Sequence, residues 1–256
     1  MNRTKIDWCD YTWNPIVGCS PVSEACERCY AERLSRRFGW GWGKPVPRDD
    51  RLEEPLRTRR PSRVFVCSMS DMFHDQLTWP EIASVANVME EADWHTYLLL
   101  TKRPERMREF CARWWAGIPP ARHVWLGVSA ENQARADERI PALLDTPAAV
   151  RFVSLEPLLG LVDLSAYLRP QMYAGEPLPY RKGTLLPPGH PEHYHPARIR
   201  PSLDWVIVGA QSGPGAVKPD PAWITDIIDQ CARAGVPAFL KRNLGWSERR
   251  EEYPSP

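Results

Sequence analysis

Seven short runs of β-branched, aromatic and aliphatic residues recur along the chain, each closed by small or polar residues and most followed by a segment of helical period. They are Tyr11 to Val17, Arg63 to Ser68, His95 to Thr101, His123 to Val128, Val150 to Leu155, Asp204 to Gly209 and Pro237 to Lys241. Runs such as TYLLLT, VWLGV and WVIVG are apolar on both faces, which is the pattern of strands covered on both sides. Helices are expected at Ser23 to Phe38, Trp79 to Ala92, Pro104 to Ala116, Glu131 to Leu144 and Pro221 to Ala234. TWPE, KRPE and PDPAW place proline in a first helical turn, where its missing N–H costs nothing. Strands alternating with helices, mostly at intervals of about 25–32 residues, are the signature of right-handed βαβ units on a parallel sheet. The expectation is an α/β fold: a partial parallel (β/α) barrel of six to seven βα units. A doubly wound open sheet is the competing arrangement, but no GxGxxG follows the first strand.

The rhythm fails at 169–203, where eight of the 27 prolines fall, and residues 1–256 read as one barrel-like domain with this irregular insertion after the fifth strand. Long connections of this kind are lids, binding loops or disordered. Gly39 to Pro61, rich in Trp, Gly, Pro and Arg, reads as a second irregular stretch, and both are expected at one end of the sheet. A net charge of +1 removes any general electrostatic case for a nucleic-acid coat or membrane-surface protein, while leaving room for a local basic groove. No apolar run reaches the ~18 residues a membrane helix needs. The opening MNRTKIDWCDYTWNP lacks the apolar core and cleavage site of a signal peptide, so a cytoplasmic location is expected.

The seven cysteines are unevenly spread. Cys67, Cys111 and Cys231 stand alone in apolar surroundings, as small buried hydrophobes do. Cys19, Cys26 and Cys29 instead share a loop, GCSPVSEACERCYAE, directly after the first strand and hence at the carboxyl end of the sheet, where sites of such folds form. Three thiolates can hold a [4Fe–4S] cluster with one iron left open, and that open iron can chelate the methionyl amine and carboxylate of S-adenosylmethionine. A zinc site completed by Cys9 or by a histidine of GHPEHYH is the alternative. His190, His193 and His195 themselves form a weaker metal candidate.

The run IDWCDYTWNPIVGCSPVSEACERCYAERL, with SMSDMFH, LLLTKRPERM, WLGVSAENQ, SLEPLLG, DWVIVGAQSGPGA and GVPAFLKR in that order, resembles the three-Cys-motif phage protein family, also found in bacterial genomes. The resemblance covers nearly the whole chain. It implies a radical SAM-like partial barrel with Cys19, Cys26 and Cys29 as cluster ligands. The cysteine spacing is C-x6-C-x2-C where that superfamily uses C-x3-C-x2-C, and Arg28 stands where an aromatic is common, with Tyr30 following. Gln211 replaces a glutamate of the family's GGESG turn, so no essential acid is expected there.

The ends of the second to seventh strands finish polar: Ser68, Ser70, Asp71 and His74; Thr101, Lys102 and Arg103; Ser129, Glu131 and Asn132; Ser154 and Glu156; Gln211 and Ser212; Lys241 and Arg242. Ser70 and Ser129 are also placed to cap the turns that follow. For S-adenosylmethionine, Ser68, Ser70 and Asp71 are expected to receive the methionyl ammonium, and Ser129, Glu131 and Asn132 the ribose and carboxylate. Gln211 and Ser212 lie in a glycine-rich turn that can approach the cofactor closely. Lys102 and Glu156 are the candidate catalytic groups, with Lys102 and Arg103 expected to face an anionic substrate or the cofactor carboxylate. Arg36, Arg37, Trp40, Trp42 and Lys44 sit in a basic, aromatic stretch suited to phosphate neutralisation and base stacking. The functional expectation is an iron–sulfur enzyme that reductively cleaves S-adenosylmethionine to modify or repair a nucleic acid or nucleotide, supplied with electrons by a reductant protein. The rivals are a zinc-stabilised nucleic-acid-binding protein without catalysis and a zinc-dependent hydrolase or nuclease.

Overall fold

The computed structural model describes residues 1–173, 198–213 and 215–255. Each of the seven apolar runs contributes a strand to one sheet: β2 (Tyr11–Trp13), β5 (Arg63–Val66), β6 (Thr96–Thr101), β7 (Val124–Ser129), β8 (Val150–Leu155), β11 (Trp205–Val208) and β12 (Ala238–Leu240). They pair in parallel and in chain order, and β1 (Asn2–Arg3) adds an antiparallel edge strand beside β2, making eight strands.

Four long helices stand where the sequence places them: α4 (Trp79–Glu91), α5 (Pro104–Trp114), α6 (Gln133–Leu144) and α7 (Pro221–Ala234). Their starts have local causes. Thr78 and Glu81 form a reciprocal capping box for α4, the Asn132 side chain accepts from Arg135 N to cap α6, and Asp220 caps α7 ahead of Pro221. Gly235 ends α7 in the left-handed conformation. No helix among the described residues is long and apolar enough to cross a membrane.

Strand alternation divides the side chains into two cores. Val64, Val66, Tyr97, Leu99, Val124, Leu126, Val128, Val153, Leu155, Val206 and Val208 pack under the helices. Their neighbours Phe65, Leu98, Trp125, Phe152, Trp205, Ile207 and Phe239 point to the opposite face, where Trp8 joins them. The Trp8 ring lies 4.7 Å from Phe65 on β5 and 6.4 Å from Phe152 on β8. In a flat sheet those two strands would be about 14 Å apart, so the sheet is curled around this aromatic plug, an arrangement compatible with a partial barrel.

Continuing along the inner face toward the carboxyl ends, the aromatics give way to Cys67, Lys102, Ser129, Ser154 with Glu156, Gly209 and Lys241. The interior is thus dry at one end and polar at the other.

Both irregular stretches depart from expectation. Gly39 to Pro61 contains two short helices, α2 (Asp49–Leu52) and α3 (Glu54–Arg57), and β4 (Val46–Pro47), which pairs with β3 (Ile16–Val17) beside the cysteine loop. The ends of the 169–203 insertion form an antiparallel pair, β9 (Gln171–Tyr173) with β10 (Arg198–Arg200). This base is tied to the amino end of the sheet. Arg200 pairs with Asp145 at the C-cap of α6, and Arg169 donates to the Arg233 carbonyl in the last turn of α7. The expectation that both irregular stretches sit at one end of the sheet is therefore corrected, since Gly39 to Pro61 lies beside the cysteine loop and the base of the insertion at the other end. His190, His193 and His195 lie outside the described residues.

Gly127 faces the plug, and a Cβ there would lie 2.5 Å from two carbons of the Phe152 ring. Gly127→Ala should lower stability by about 1–3 kcal/mol through overpacking, read as a shifted urea midpoint with an unchanged slope. An unshifted midpoint would mean that the plug can yield.

Candidate functional site

A cavity of about 420 Å³ opens where the inner face turns polar. One wall comes from the strands and the other from the loop carrying Cys19, Cys26 and Cys29, and all three cysteines line it. Cys67 has φ 57°, the only positive φ at a non-glycine among the described residues. That left-handed residue interrupts the strand's alternation, so that Cys67, Ser68 and Ser70 all line the cavity. Cys67 is buried, and burial raises its thiol pKa. Cys111 and Cys231 are buried packing residues, as expected, and Cys9 belongs to the plug.

The cysteine loop is held from several sides. Its 3₁₀ turn, Glu24–Arg28, leads through Cys29 into α1 (Tyr30–Phe38). Glu24 accepts from Asn132 Nδ2 at 2.5 Å and from Arg135 Nε and Nη2 at 3.2 and 3.0 Å. Its own backbone N–H, then Asn132 and Arg135, hold its carboxyl down to about 2. Tyr30 donates its hydroxyl to the Ser68 carbonyl at 2.5 Å. Arg28 and Arg33 reach across to the carbonyls of Gly215 and Ser212. Gly43 N donates to the Cys19 carbonyl, which brings Trp42 to the cavity rim.

Beneath Cys19 lies a buried hydrogen-bonded network around Asp71 and Arg103. Asp71 accepts from Thr101 Oγ1 at 2.7 and 2.9 Å, from the backbone N–H of Lys102 and Phe73, and from Arg103 Nη1 at 3.2 Å. Arg103 also donates to Ser20 and, at 3.8 Å, to Cys19 Sγ. Ser20 Oγ lies 2.7 Å from His74 Nε2, whose pKa is lowered by burial and by Arg103. Burial, followed by the Asp71 charge, pushes the Cys19 thiol up to about 11 even though Arg103 opposes both.

Several of the expected roles change accordingly. Asp71 lines the cavity, but its carboxylate is engaged by protein donors, so it builds the site instead of waiting for an ammonium. Arg103 is engaged with Asp71, Asp75 and the cysteine loop, and does not stand ready for an anion. Glu131 does not line the cavity; it is fully buried against Arg139, which also bonds the Ser129 carbonyl. Asn132 spends its amide on the α6 cap and Glu24.

Ser68, Ser70, Ser129, Gln211 and Ser212 do line the cavity, as do the two catalytic candidates. Ser68 donates to Asn14 Oδ1 and Ser70 to the Gly18 carbonyl. Lys102 has no carboxylate among the described residues within 4.0 Å of its ammonium. Glu156 pairs with Lys241 and lies over Gly209, where a Cβ would come within 2.8 Å of Glu156 Cδ. The basic–aromatic group is split: Trp42 lines the cavity, whereas Trp40 is exposed and stacks on Phe38 at 5.0 Å, with Arg37 over the Phe38 ring. Arg36 is paired with Glu32, and Lys44 is exposed.

Sequence reasoning missed Trp8, Tyr30 and Arg28 as parts of the site. Strand parity marks Lys102, Ser129, Ser154, Glu156 and Lys241 as inner-face residues. It carries no signal for Trp8, which precedes β2 and reaches the interior only through the curl.

Three loop thiols facing one cavity at the carboxyl end of a curled parallel sheet define an α/β protein with a cysteine-lined site. Such a donor set suits a cluster with three protein ligands, although among the described residues no three His, Cys, Asp or Glu groups are gathered as a single metal ion requires. The chain belongs to the family described as "Protein of unknown function (DUF5131)", whose model matches residues 3–253. No curated protein and no solved structure matches it.

If the Glu24 clamp positions the cysteine loop, Glu24→Ala and Arg135→Ala should each speed hydrogen exchange at the Cys26 and Cys29 amides, which bond Ser23 O and Cys26 O. The double variant should add little to either, because the two residues share one interaction. Additive effects would show that they act separately.

Proposed function

We propose that the protein is an iron–sulfur enzyme of the radical SAM type that modifies or repairs a nucleic acid or nucleotide, in keeping with its resemblance to a phage-associated family. The observation that carries this reading is the convergence of Cys19, Cys26 and Cys29 on one cavity at the strand carboxyl ends. When bound by these thiolates, a [4Fe–4S] cluster would supply the electron that cleaves S-adenosylmethionine to methionine and a 5′-deoxyadenosyl radical.

The chain's own residues prepare the place. Arg103 sets a cation beside Cys19, and Asp71 fixes that guanidinium together with the turn after β6. Ser68, Ser129, Gln211 and Ser212 supply small polar contacts for the cofactor. Lys102 offers its ammonium to a carboxylate or phosphate, and Glu156 faces the substrate. The loop and Trp42 cover the cavity and limit water access. Outside it, the Phe38–Trp40 stack with Arg36, Arg37 and Lys44 offers stacking and charge to a strand leading in. A reductant protein would deliver the electron.

Anaerobically prepared protein should be brown, carry about four iron and four sulfide per chain, bleach with dithionite and then release 5′-deoxyadenosine from S-adenosylmethionine. Alanine at Cys19, Cys26 or Cys29 should abolish the cluster, whereas Cys111→Ala should cost only packing, roughly 1 kcal/mol. Stoichiometric zinc without sulfide would replace this reading with a zinc protein.

Affinity for single-stranded DNA or RNA should fall steeply with salt through counterion release. Trp40→Ala and Trp42→Ala should each weaken it by about 1–3 kcal/mol. Undetectable binding at low salt would remove the polymeric substrate.

A further inference from the structure

The guanidinium of Arg103 spends every N–H it has. Nε donates to Asp75, Nη1 to Asp71 Oδ2 at 3.2 Å and to Cys19 Sγ at 3.8 Å, and Nη2 to the Ser20 carbonyl and to Ser20 Oγ, both at 3.2 Å. The Arg103 and Asp71 side chains are only 7% and 8% exposed, so solvent screens their charges little. The other two loop thiols have nothing comparable. Among the described residues, Cys26 Sγ meets Ser23 Oγ at 4.0 Å, and no group donates to Cys29 Sγ.

A second donor is fixed beside the first. The backbone N–H of Gln76 donates to His74 Nδ1 at 3.2 Å, so Nδ1 carries no proton, and the ring of the buried His74 is neutral with its proton on Nε2. Nε2 then donates to Ser20 Oγ at 2.7 Å. With Arg103 Nη2 donating to the same oxygen, both lone pairs of Ser20 Oγ are filled, and its own O–H has no acceptor among the described residues. Ser20 is half-buried and lines the cavity beside Cys19.

These groups bear on a quantity that the three cysteines alone leave open. Reduction transfers one electron from the reductant protein to a cluster held by the thiolates, and adds one unit of negative charge with no bond made or broken. A cation or an N–H donor at a ligand sulfur stabilises the reduced form more than the oxidised one and raises the potential, whereas a nearby carboxylate lowers it.

We propose that the Asp71–Arg103 pair, with Ser20 held by His74, sets the reduction potential of the cluster through Cys19, Arg103 raising it and Asp71 restraining it. These are positioning residues, acting through a ligand sulfur. The proposal rests on the iron–sulfur part of the reading above and gives the buried pair a role beyond holding the loop.

The test is a dye-mediated redox titration of the anaerobically loaded full-length protein, followed by electron paramagnetic resonance and visible absorbance, with iron and sulfide counted in each variant. Arg103→Gln should lower the potential and Asp71→Asn raise it, each by about tenfold in the one-electron equilibrium, which is about 59 mV. Arg103→Lys, which keeps the charge and loses the planar fork, and Ser20→Ala should each lower it by about threefold. Arg33→Gln, which cuts another attachment of the same loop without touching a sulfur, should leave it unmoved. Shifts of opposite sign from the two halves of one ion pair are an electrostatic signature, because a loosened loop would move both variants the same way.

Unmoved potentials, shifts of the same sign from Arg103→Gln and Asp71→Asn, or an equal shift from Arg33→Gln would overturn the proposal. If Arg103→Gln holds no cluster, an unmoved potential in both Arg103→Lys and Ser20→Ala overturns it equally. A chain that holds zinc without sulfide removes the iron–sulfur reading and this proposal together. A chain whose potential shifts as expected, but which does not cleave S-adenosylmethionine, supports the proposal and refutes the radical SAM reading alone.

Discussion

A strand buried on both faces has no free side: each residue belongs either to the layer under the helices or to the interior of the curl. The curl makes the interior narrow, and Trp8, Phe65, Trp125, Phe152, Trp205 and Phe239 fill its amino-terminal end. Gly127 leaves room for the Phe152 ring. Because that end is filled, the interior can open only toward the carboxyl ends, where the same alternation presents Lys102, Ser129, Ser154, Glu156 and Lys241. The cavity is therefore a consequence of how the core is packed, and its rigid floor is an aromatic one.

The cysteine loop forms the other half of the site and has little apolar burial of its own; only Ala25 is buried in its 3₁₀ turn. Its position comes from polar attachments to different elements: Glu24 to α6, Cys19 and Ser20 to Arg103 before α5, Tyr30 to the turn after β5, and Arg28 and Arg33 to the turn after β11. Individually such exposed or half-exposed contacts are weak. Distributed around the loop, they place three thiols over one opening. The buried Asp71–Arg103 pair differs from the rest, since removing either partner would leave an uncompensated charge beside Cys19.

The same demand for partners explains why some polar strand-end residues are not site residues. Glu131 follows Ser129 by two positions, but the chain has already left the strand, and the glutamate turns beneath α6 to meet Arg139. Asn132 is drawn into the helix cap because an α-helix leaves its first N–H groups unpaired. Arg200 and Arg169 hold the base of the insertion at the opposite end of the sheet from the cysteines.

The local features were legible in the sequence: seven strands from apolar runs of the right length, four long helices from their period and proline or capping starts, and a cysteine loop after the first long run. Each depends on backbone geometry repeated over a few residues, which a chain carries with it before it folds. The tertiary structure alone decided that Trp8 closes the floor, that Asp71 is satisfied by Thr101 and Arg103, that Glu131 is buried away from the cavity, and that Trp40 and Trp42 part company. Those outcomes depend on which groups lie opposite one another across the curled sheet, and neither period nor spacing encodes the partner that a polar atom will meet.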